Sequence, residues 1–327
     1  MSEQLSRAHL RARHIFTGTL VLDTALHIGG GRDQPGASDS PVVRDPLGRP
    51  FVPGSSFKGA FRAAVERLVP NLAHLGLHTC ALQPGYPRCL STHQAPSELE
   101  SEDSGPDQAE ETPEQRAEKL DLGTAYRTVS GSMSRRLNAT KEVTAALIRL
   151  ERPDLAGQIV TADVLLSLLD QWLCDTCKVF GSAYLAATAR FSDLPVQEPW
   201  YDLIQVRDGV GIDRDSERAR ERIKYDYEVI PPGTAFQFHL TVENPGSHDL
   251  GLVAIGLQEF ISGMVPLGGI RSRGLGRCRL EGLQVQAVNF TDGQALRDYL
   301  TGDGPKPRDA KPFLADAIDR LLNPQEV

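Results

Sequence analysis

Three neighbouring stretches decide how this chain reads: His27-Ile28-Gly29-Gly30-Gly31, then Ser38-Asp39-Ser40-Pro41-Val42-Val43-Arg44-Asp45-Pro46, then Pro53-Gly54-Ser55-Ser56-Phe57-Lys58-Gly59-Ala60-Phe61-Arg62. Glycine lets a backbone approach a ligand closely, and the free N–H groups at a helix start favour an anion. Ser55 or Ser56 is a natural N-cap, and Lys58 and Arg62, four residues apart, share one helix face. The combination suits backbone-level binding of a phosphodiester chain, with Gly29, Gly30, Ser55, Ser56, Lys58 and Arg62 as candidate contacts. Upstream, His14 to Leu26 alternates as a strand that ends in the turn Gly29 to Gly31. Ser56 to Leu68 is predicted as a helix with Phe57, Phe61, Ala64, Val65 and Leu68 on one face and Pro70 beyond its end.

A second glycine-rich stretch lies far along the chain, Gly268-Gly269-Ile270-Arg271-Ser272-Arg273-Gly274-Leu275-Gly276-Arg277. In an extended segment Arg271 and Arg273 point to one side, as do Arg277 and Arg279, and guanidinium groups spaced by glycine can track phosphates or stack on bases. Arg271, Arg273, Gly274 and Arg277 therefore join the candidate RNA contacts; a surface loop with solvated arginines is the plainer reading. Together, in this order, the two motifs resemble the RAMP proteins that form the backbone filament of type III CRISPR effector complexes.

The intervening elements fit an α+β fold. Phe236 to Val242 alternates strictly and follows the turn Pro231-Pro232-Gly233; Gly251 to Met264 is predicted helical and Arg277 to Val285 a strand. Phe180 to Ser192 has strand-like stretches, and Val143 to Leu150 and Ala162 to Leu173 have helical spacing. The order strand, helix, strands, helix, strand is that of a ferredoxin-like or RRM-like core. The chain is read as one RAMP domain over 1–327, for which the resemblance implies a zinc-bearing insertion at 70–140 and a thumb hairpin at 207–232; a C-terminal extension at 289–327 lies outside the resemblance and is of unassigned role.

Hydrophobic residues make up 40% of the 327, enough for a substantial core, and no apolar run approaches the length of a membrane span. Arg11 and Arg13 have no apolar stretch behind them, so no secretory signal is expected, and a cytoplasmic location follows. The net charge of −8 is local: residues 94–122 hold ten acidic side chains against Arg116 and Lys119. With its Pro, Ser, Gln and Glu content this stretch reads as a disordered, solvated loop, or as a guard that repels stray RNA. The rest of the chain is near neutral and compatible with a nucleic-acid partner.

Five cysteines are present: Cys80, Cys89, the Cys-x-x-Cys pair Cys174 and Cys177, and Cys278. Four thiolates suit zinc in a closed tetrahedron, for which the first four are candidates, with His74, His78 or His93 able to replace one. A redox pair or plain buried thiols are the other readings, and Cys278 reads as core. The resemblance favours structural zinc, since some backbone subunits of that family carry zinc in a comparable insertion.

The resemblance also implies a function. In that family an aspartate in the loop matched here by Asp39-Ser40-Pro41-Val42 is needed to cut target RNA, Asp33 being a rival and Asp45 part of a structural Arg-Asp-Pro element. Residues 209–228 fall where the family has its thumb, which flips a base out of the guide–target duplex; Arg218, Arg220, Arg222 and Lys224 would share one side of an extended arm. A carboxylate beside a scissile phosphate can hold Mg2+ or another divalent cation, or assist the neighbouring 2′-hydroxyl, with in-line positioning supplying most of the rate. Expected partners are crRNA, complementary target RNA, other CRISPR effector subunits and, in a filament-like assembly, further copies or related subunits. Asp39 without activity, in a pure crRNA-binding scaffold, is one alternative; a guide-processing endoribonuclease with His27 as general base is another. A zinc-dependent redox protein is a distant third. An Asx turn, in turn, is what Asp39 would form without that resemblance.

Overall fold

The computed structural model describes residues 9–30, 38–82, 89, 154, 171–182, 184–212, 219–246 and 248–323, with backbone alone over 210–212 and 219–224. Asp33, His93, the acidic loop 94–122, the helix expected at Val143–Leu150 and nearly all of that expected at Ala162–Leu173 lie outside these residues, as do the side chains of Arg218, Arg220, Arg222 and Lys224. The chain divides into two compact units, one formed by 10–68 with 189–327, the other by 1–9 with 69–188.

In the larger unit β1 (Ala12–Leu22) runs up the middle of an antiparallel sheet. It pairs on one side with β7 (Ala235–Glu243), which pairs with β3 (Ala189–Phe191), and on the other with β8 (Cys278–Asn289), which pairs with β9 (Arg308–Asp309). The helices α1 (Gly54–Leu68) and α3 (Asp249–Ile261) supply the connections. Taking β1, α1, β3, β7, α3 and β8 in chain order, the spatial order β3-β7-β1-β8 is that of a ferredoxin-like core, as the sequence order predicted. The alternation of Phe236, Phe238, Leu240 and Val242 is reproduced as buried positions of β7.

The core beneath the sheet is aromatic. Phe57 and Phe61 of α1 meet Phe260 of α3 at ring-centroid distances of 4.4 and 5.8 Å, and Phe57 lies 5.3 Å from Phe238 of β7. Phe57, Phe61 and Phe260 are fully buried, and burial of each stabilises the fold by roughly 2–3 kcal/mol. α3 passes α1 closely because Gly256 has no side chain: a Cβ there would stand 2.2 Å from the Phe61 ring.

The C-terminal extension turns out to be part of the core. After β8 the chain forms α4 (Gly293–Thr301), capped by the Asp292 carboxylate, then β9, then α5 (Lys311–Leu322) with Pro312 in its first turn. Leu314, Ala317 and Leu321 are the buried face of α5, and Leu321 fills the space above Gly251 of α3.

Two shorter pairings complete the larger unit. β2 (Phe51–Val52) pairs with β4 (Leu194–Pro195), and β5 (Gln205–Ile212) pairs with β6 (Ala219–Val229) in an antiparallel hairpin. In the smaller unit a 3-10 stretch covers Val69–Leu75 and a short helix, α2, covers Asp175–Phe180. No helix among the described residues is long and apolar enough to cross a membrane.

The contact at Gly256 reverses the usual effect of glycine in a helix. Replacing an exposed helical glycine by alanine gains up to ~1 kcal/mol. Here overpacking against Phe61 costs about 1–3 kcal/mol. Gly256→Ala is expected to lower the urea midpoint of unfolding at unchanged m-value; a raised midpoint would show that the aromatic core has room to spare.

Candidate functional site

The two glycine-rich motifs, separated by more than two hundred residues, are bonded to one another. The carbonyl of Ala25 accepts from Gly276 N at 2.8 Å and that of His27 from Gly269 N at 2.8 Å, while Leu267 N donates to the Gly276 carbonyl. The approach needs glycine: Gly268 and Gly276 have φ of +74° and +87°, and a Cβ at either would lie 2.2 Å from the His27 carbonyl oxygen or 1.9 Å from that of Leu267. Gly31, the last residue of the turn expected at Gly29 to Gly31, lies outside the described residues. Gly29 bridges to Val42, and Gly30 N donates to the Pro41 carbonyl, so this loop is zipped to the segment that carries Asp39.

That segment also lies along β6. Glu228 N donates to the Ser40 carbonyl at 3.0 Å, and Val42 N and Arg44 Nη2 both donate to Glu228 Oε2, at 3.1 and 2.9 Å. Glu228 is buried, and its charge is met by the Arg44 guanidinium. Asp39 is exposed. Its N–H donates to Asp226 Oδ1 at 2.6 Å, and its Oδ2 accepts from Asp226 N at 3.1 Å. Its partner is thus β6 and not its own turn. Asp45 does serve a turn, accepting from Leu47 N and Arg49 N and pairing with the Arg49 guanidinium.

His27 is buried within this assembly. Its Nδ1 lies 2.7 Å from the Glu228 carbonyl, which can only accept, so Nδ1 carries a proton and donates; Nε2 lies 3.3 Å from Ser40 Oγ. The Tyr227 ring packs edge-on against it at 5.8 Å. A histidine enclosed in this way braces the loop, which does not favour a general base acting on RNA.

The cations are placed differently from the sequence reading. Arg271 and Arg273 do not alternate along an extended segment; they form a 3-10 turn between Ile270 and Gly274, both left-handed, with φ of +56° and +90°. Arg271, Arg273 and Gly274 are exposed, and Arg273 donates to the Tyr225 hydroxyl at the base of the hairpin. Arg277 reaches Asp23 at 3.6 Å, and Arg279 also pairs with Asp23. Neither Ser55 nor Ser56 is the N-cap of α1. The helix begins at Gly54, whose N–H donates to Asp193 Oδ1 at 2.7 Å, and both serines are exposed in the first turn. Arg62 is engaged by Glu66 at 2.7 Å and largely buried. Burial, with the neighbouring Arg62 charge, lowers the pKa of Lys58. Lys58 and Arg271 have no ion-pair partner among the described residues.

In the smaller unit Cys80, Cys89, Cys174 and Cys177 converge, all buried, with their sulfurs within 4.8 Å of one another. Cys177 Sγ lies 3.6 Å from Cys80 Sγ and 3.7 Å from Cys89 Sγ, and Cys80 N donates to Cys174 Sγ. A tetrahedron of ~2.3 Å Zn–S bonds has sulfurs about 3.8 Å apart, so the group fits such an ion. Hydrogen bonding from Cys177 lowers the Cys174 thiol to about 6, whereas Cys177 itself is pushed up, first by Cys174. Four thiols this close share the charge unequally, and a cation would relieve that. No histidine is needed to complete the set: His78 instead holds α2, its N–H donating to Asp175 Oδ2. Cys278 is plain core, its thiol raised to about 12 by burial.

The family model of the RAMP superfamily matches residues 19–279, which embrace both glycine motifs, the Asp39 segment, the hairpin and the four cysteines. The chain belongs to the RAMP superfamily. Among curated relatives, it is similar to the CRISPR system Cms endoribonuclease Csm3 of Methanocaldococcus jannaschii, 45% identical over 60 residues, which is 18% of this chain and 24% of that protein. The proteins of the same name from Enterococcus italicus and Mycobacterium tuberculosis are 48% identical over 65 residues and 52% identical over 55, covering 19% and 16% of this chain and 28% and 23% of theirs. The chain thus spans about a quarter of the length of the curated relatives it matches.

Three residues that hold this arrangement together were not singled out in the sequence: Asp193, Asp226 and Glu228. All are acidic residues whose partners lie 139 to 187 positions away, and no local pattern marks them.

Proposed function

We propose that this RAMP protein is a backbone subunit of a type III CRISPR effector complex that holds crRNA and cuts the paired target RNA at Asp39. The observation that carries this reading is the joining of the Asp39 segment, both glycine loops and the base of the hairpin by backbone hydrogen bonds. The similarity to proteins named as CRISPR endoribonucleases supports it. The guide would be held by the exposed Gly29, Ser55, Ser56, Arg271, Arg273, Gly274 and Arg277, with the half-buried Gly30 and Lys58 beside them. Such contacts fall on phosphates, so sequence choice is left to base pairing. Arg62, tied to Glu66, contributes by positioning more than by direct contact.

The hairpin β5–β6 serves as the thumb that bends the duplex, placing the scissile phosphate over Asp39. Asp39 Oδ1 has no partner among the described residues and is the atom open to a divalent cation or to the attacking 2′-hydroxyl. A divalent cation such as Mg2+, when bound, supplies charge neutralisation at the phosphate. Asp39→Ala is expected to abolish evenly spaced cuts in a labelled target RNA by at least ~100-fold in the assembled complex, at equal target occupancy. Unchanged cutting would make this chain a scaffold.

The four cysteines of the smaller unit would hold one structural zinc, with no open position for catalysis. One zinc per chain is the expected result of elemental analysis, lost in Cys174→Ser together with much of the thermal stability. Purified protein free of zinc, with four titratable thiols and unchanged stability, would contradict the assignment.

A further inference from the structure

We infer that Asp226, on the hairpin strand β6, is the positioning residue for Asp39; the inference rests on the catalytic reading of Asp39 given above. Two carboxylate side chains face each other here on the protein surface. Each takes the other residue's backbone N–H: Asp39 N donates to Asp226 Oδ1 at 2.6 Å, and Asp226 N to Asp39 Oδ2 at 3.1 Å. Like charges repel, and those two bonds offset the repulsion at this point of contact. Their effect on Asp39 is specific: both its N–H and its Oδ2 are held, which fixes the side-chain rotamer and leaves Oδ1 as the working oxygen.

The clamp is itself braced. Asp226 faces Asp208 across the hairpin, the next residue but one in β6 is Glu228, and Glu228 bonds Ser40 and Val42 on the other side of Asp39. The neighbouring Tyr225 ring covers Gly209, where a Cβ would come within 2.3 Å of it, and its hydroxyl receives Arg273 of the glycine-rich turn. A displacement of the hairpin base therefore moves Asp226, and Asp226 moves Asp39. The strand that would engage the RNA duplex is the one that aims the cutting residue, so cutting becomes sensitive to how the duplex seats on the hairpin.

The test uses the complete complex with crRNA and saturating target, under single-turnover conditions, with Asp39→Ala as control. Asp226→Asn keeps an oxygen acceptor for Asp39 N and is expected to cut within about threefold of the native rate. Asp226→Ala removes the acceptor and is expected to slow cutting by more than about tenfold, with target affinity and the Mg2+ concentration for half-maximal rate unchanged. Amide hydrogen exchange supplies a readout independent of activity: Asp226→Ala speeds exchange at Asp39, and Asp226→Asn does not. Asp226→Asn as slow as Asp226→Ala, with a raised Mg2+ requirement, would make Asp226 a metal ligand and overturn the inference; native cutting and exchange in Asp226→Ala would do so as well. If Asp39→Ala also cuts at the native rate, the catalytic reading itself fails, and the inference falls with it even where exchange still reports the clamp.

Discussion

The backbone carbonyls of Ala25 and His27 are the constraint on which the rest of the site depends. Each accepts a hydrogen bond from a glycine of the second motif; a Cβ at 268 would strike the His27 carbonyl and one at 276 the Leu267 carbonyl, so only glycine fits at either position. Because β1 leads directly into these residues and β8 leaves directly from the second motif, the approach is an extension of the central β1–β8 pairing beyond the end of the sheet. The loop at Gly29 and Gly30 then zips onto Pro41 to Val43, and that segment onto β6. Asp39, the proposed catalytic residue, is thereby held in its loop by three layers of bonding, which suits a reaction in which positioning supplies most of the rate.

Charge plays a smaller part than the arginine-rich sequence implies. Arg62, Arg277 and Arg279 are paired with Glu66 or Asp23, and the N-terminus of α1 already has a carboxylate from Asp193. The pairs made by the exposed Arg277 and Arg279 are individually worth little, about 0–1 kcal/mol, and can exchange for phosphate contacts. They also leave fewer unpaired cations on the described surface. That fits a protein proposed to hold one guide among many cellular RNAs, with affinity drawn from shape and backbone donors as well as charge.

Much of this was legible in the sequence, and the reasons differ from element to element. β7 and the buried face of α1 follow from period-2 and period-3.6 patterns that burial imposes on any sheet or helix. The four cysteines were legible because thiols are few and a Cys-x-x-Cys pair needs two more ligands. β9 was not, since Arg308 and Asp309 make a strand only two residues long, with no apolar pattern. Nor was the turn at Arg271 to Arg273, set by a left-handed Ile270 that no propensity would place there. Asp39 was singled out through its motif, whereas nothing local marks Asp226, whose partner is a backbone N–H contributed from a distant stretch of chain.

The account turns on the two glycine motifs and the Asp39 segment forming one RNA-facing surface. Its most direct test is photocrosslinking in the assembled complex, with 4-thiouridine placed along the crRNA and the adducts located by mass spectrometry. The account predicts adducts on peptides spanning residues 26–30, 38–45 and 268–277 in the same complex. Adducts confined to the cysteine-bearing unit, or to the helices at 293–301 and 311–322, would contradict it.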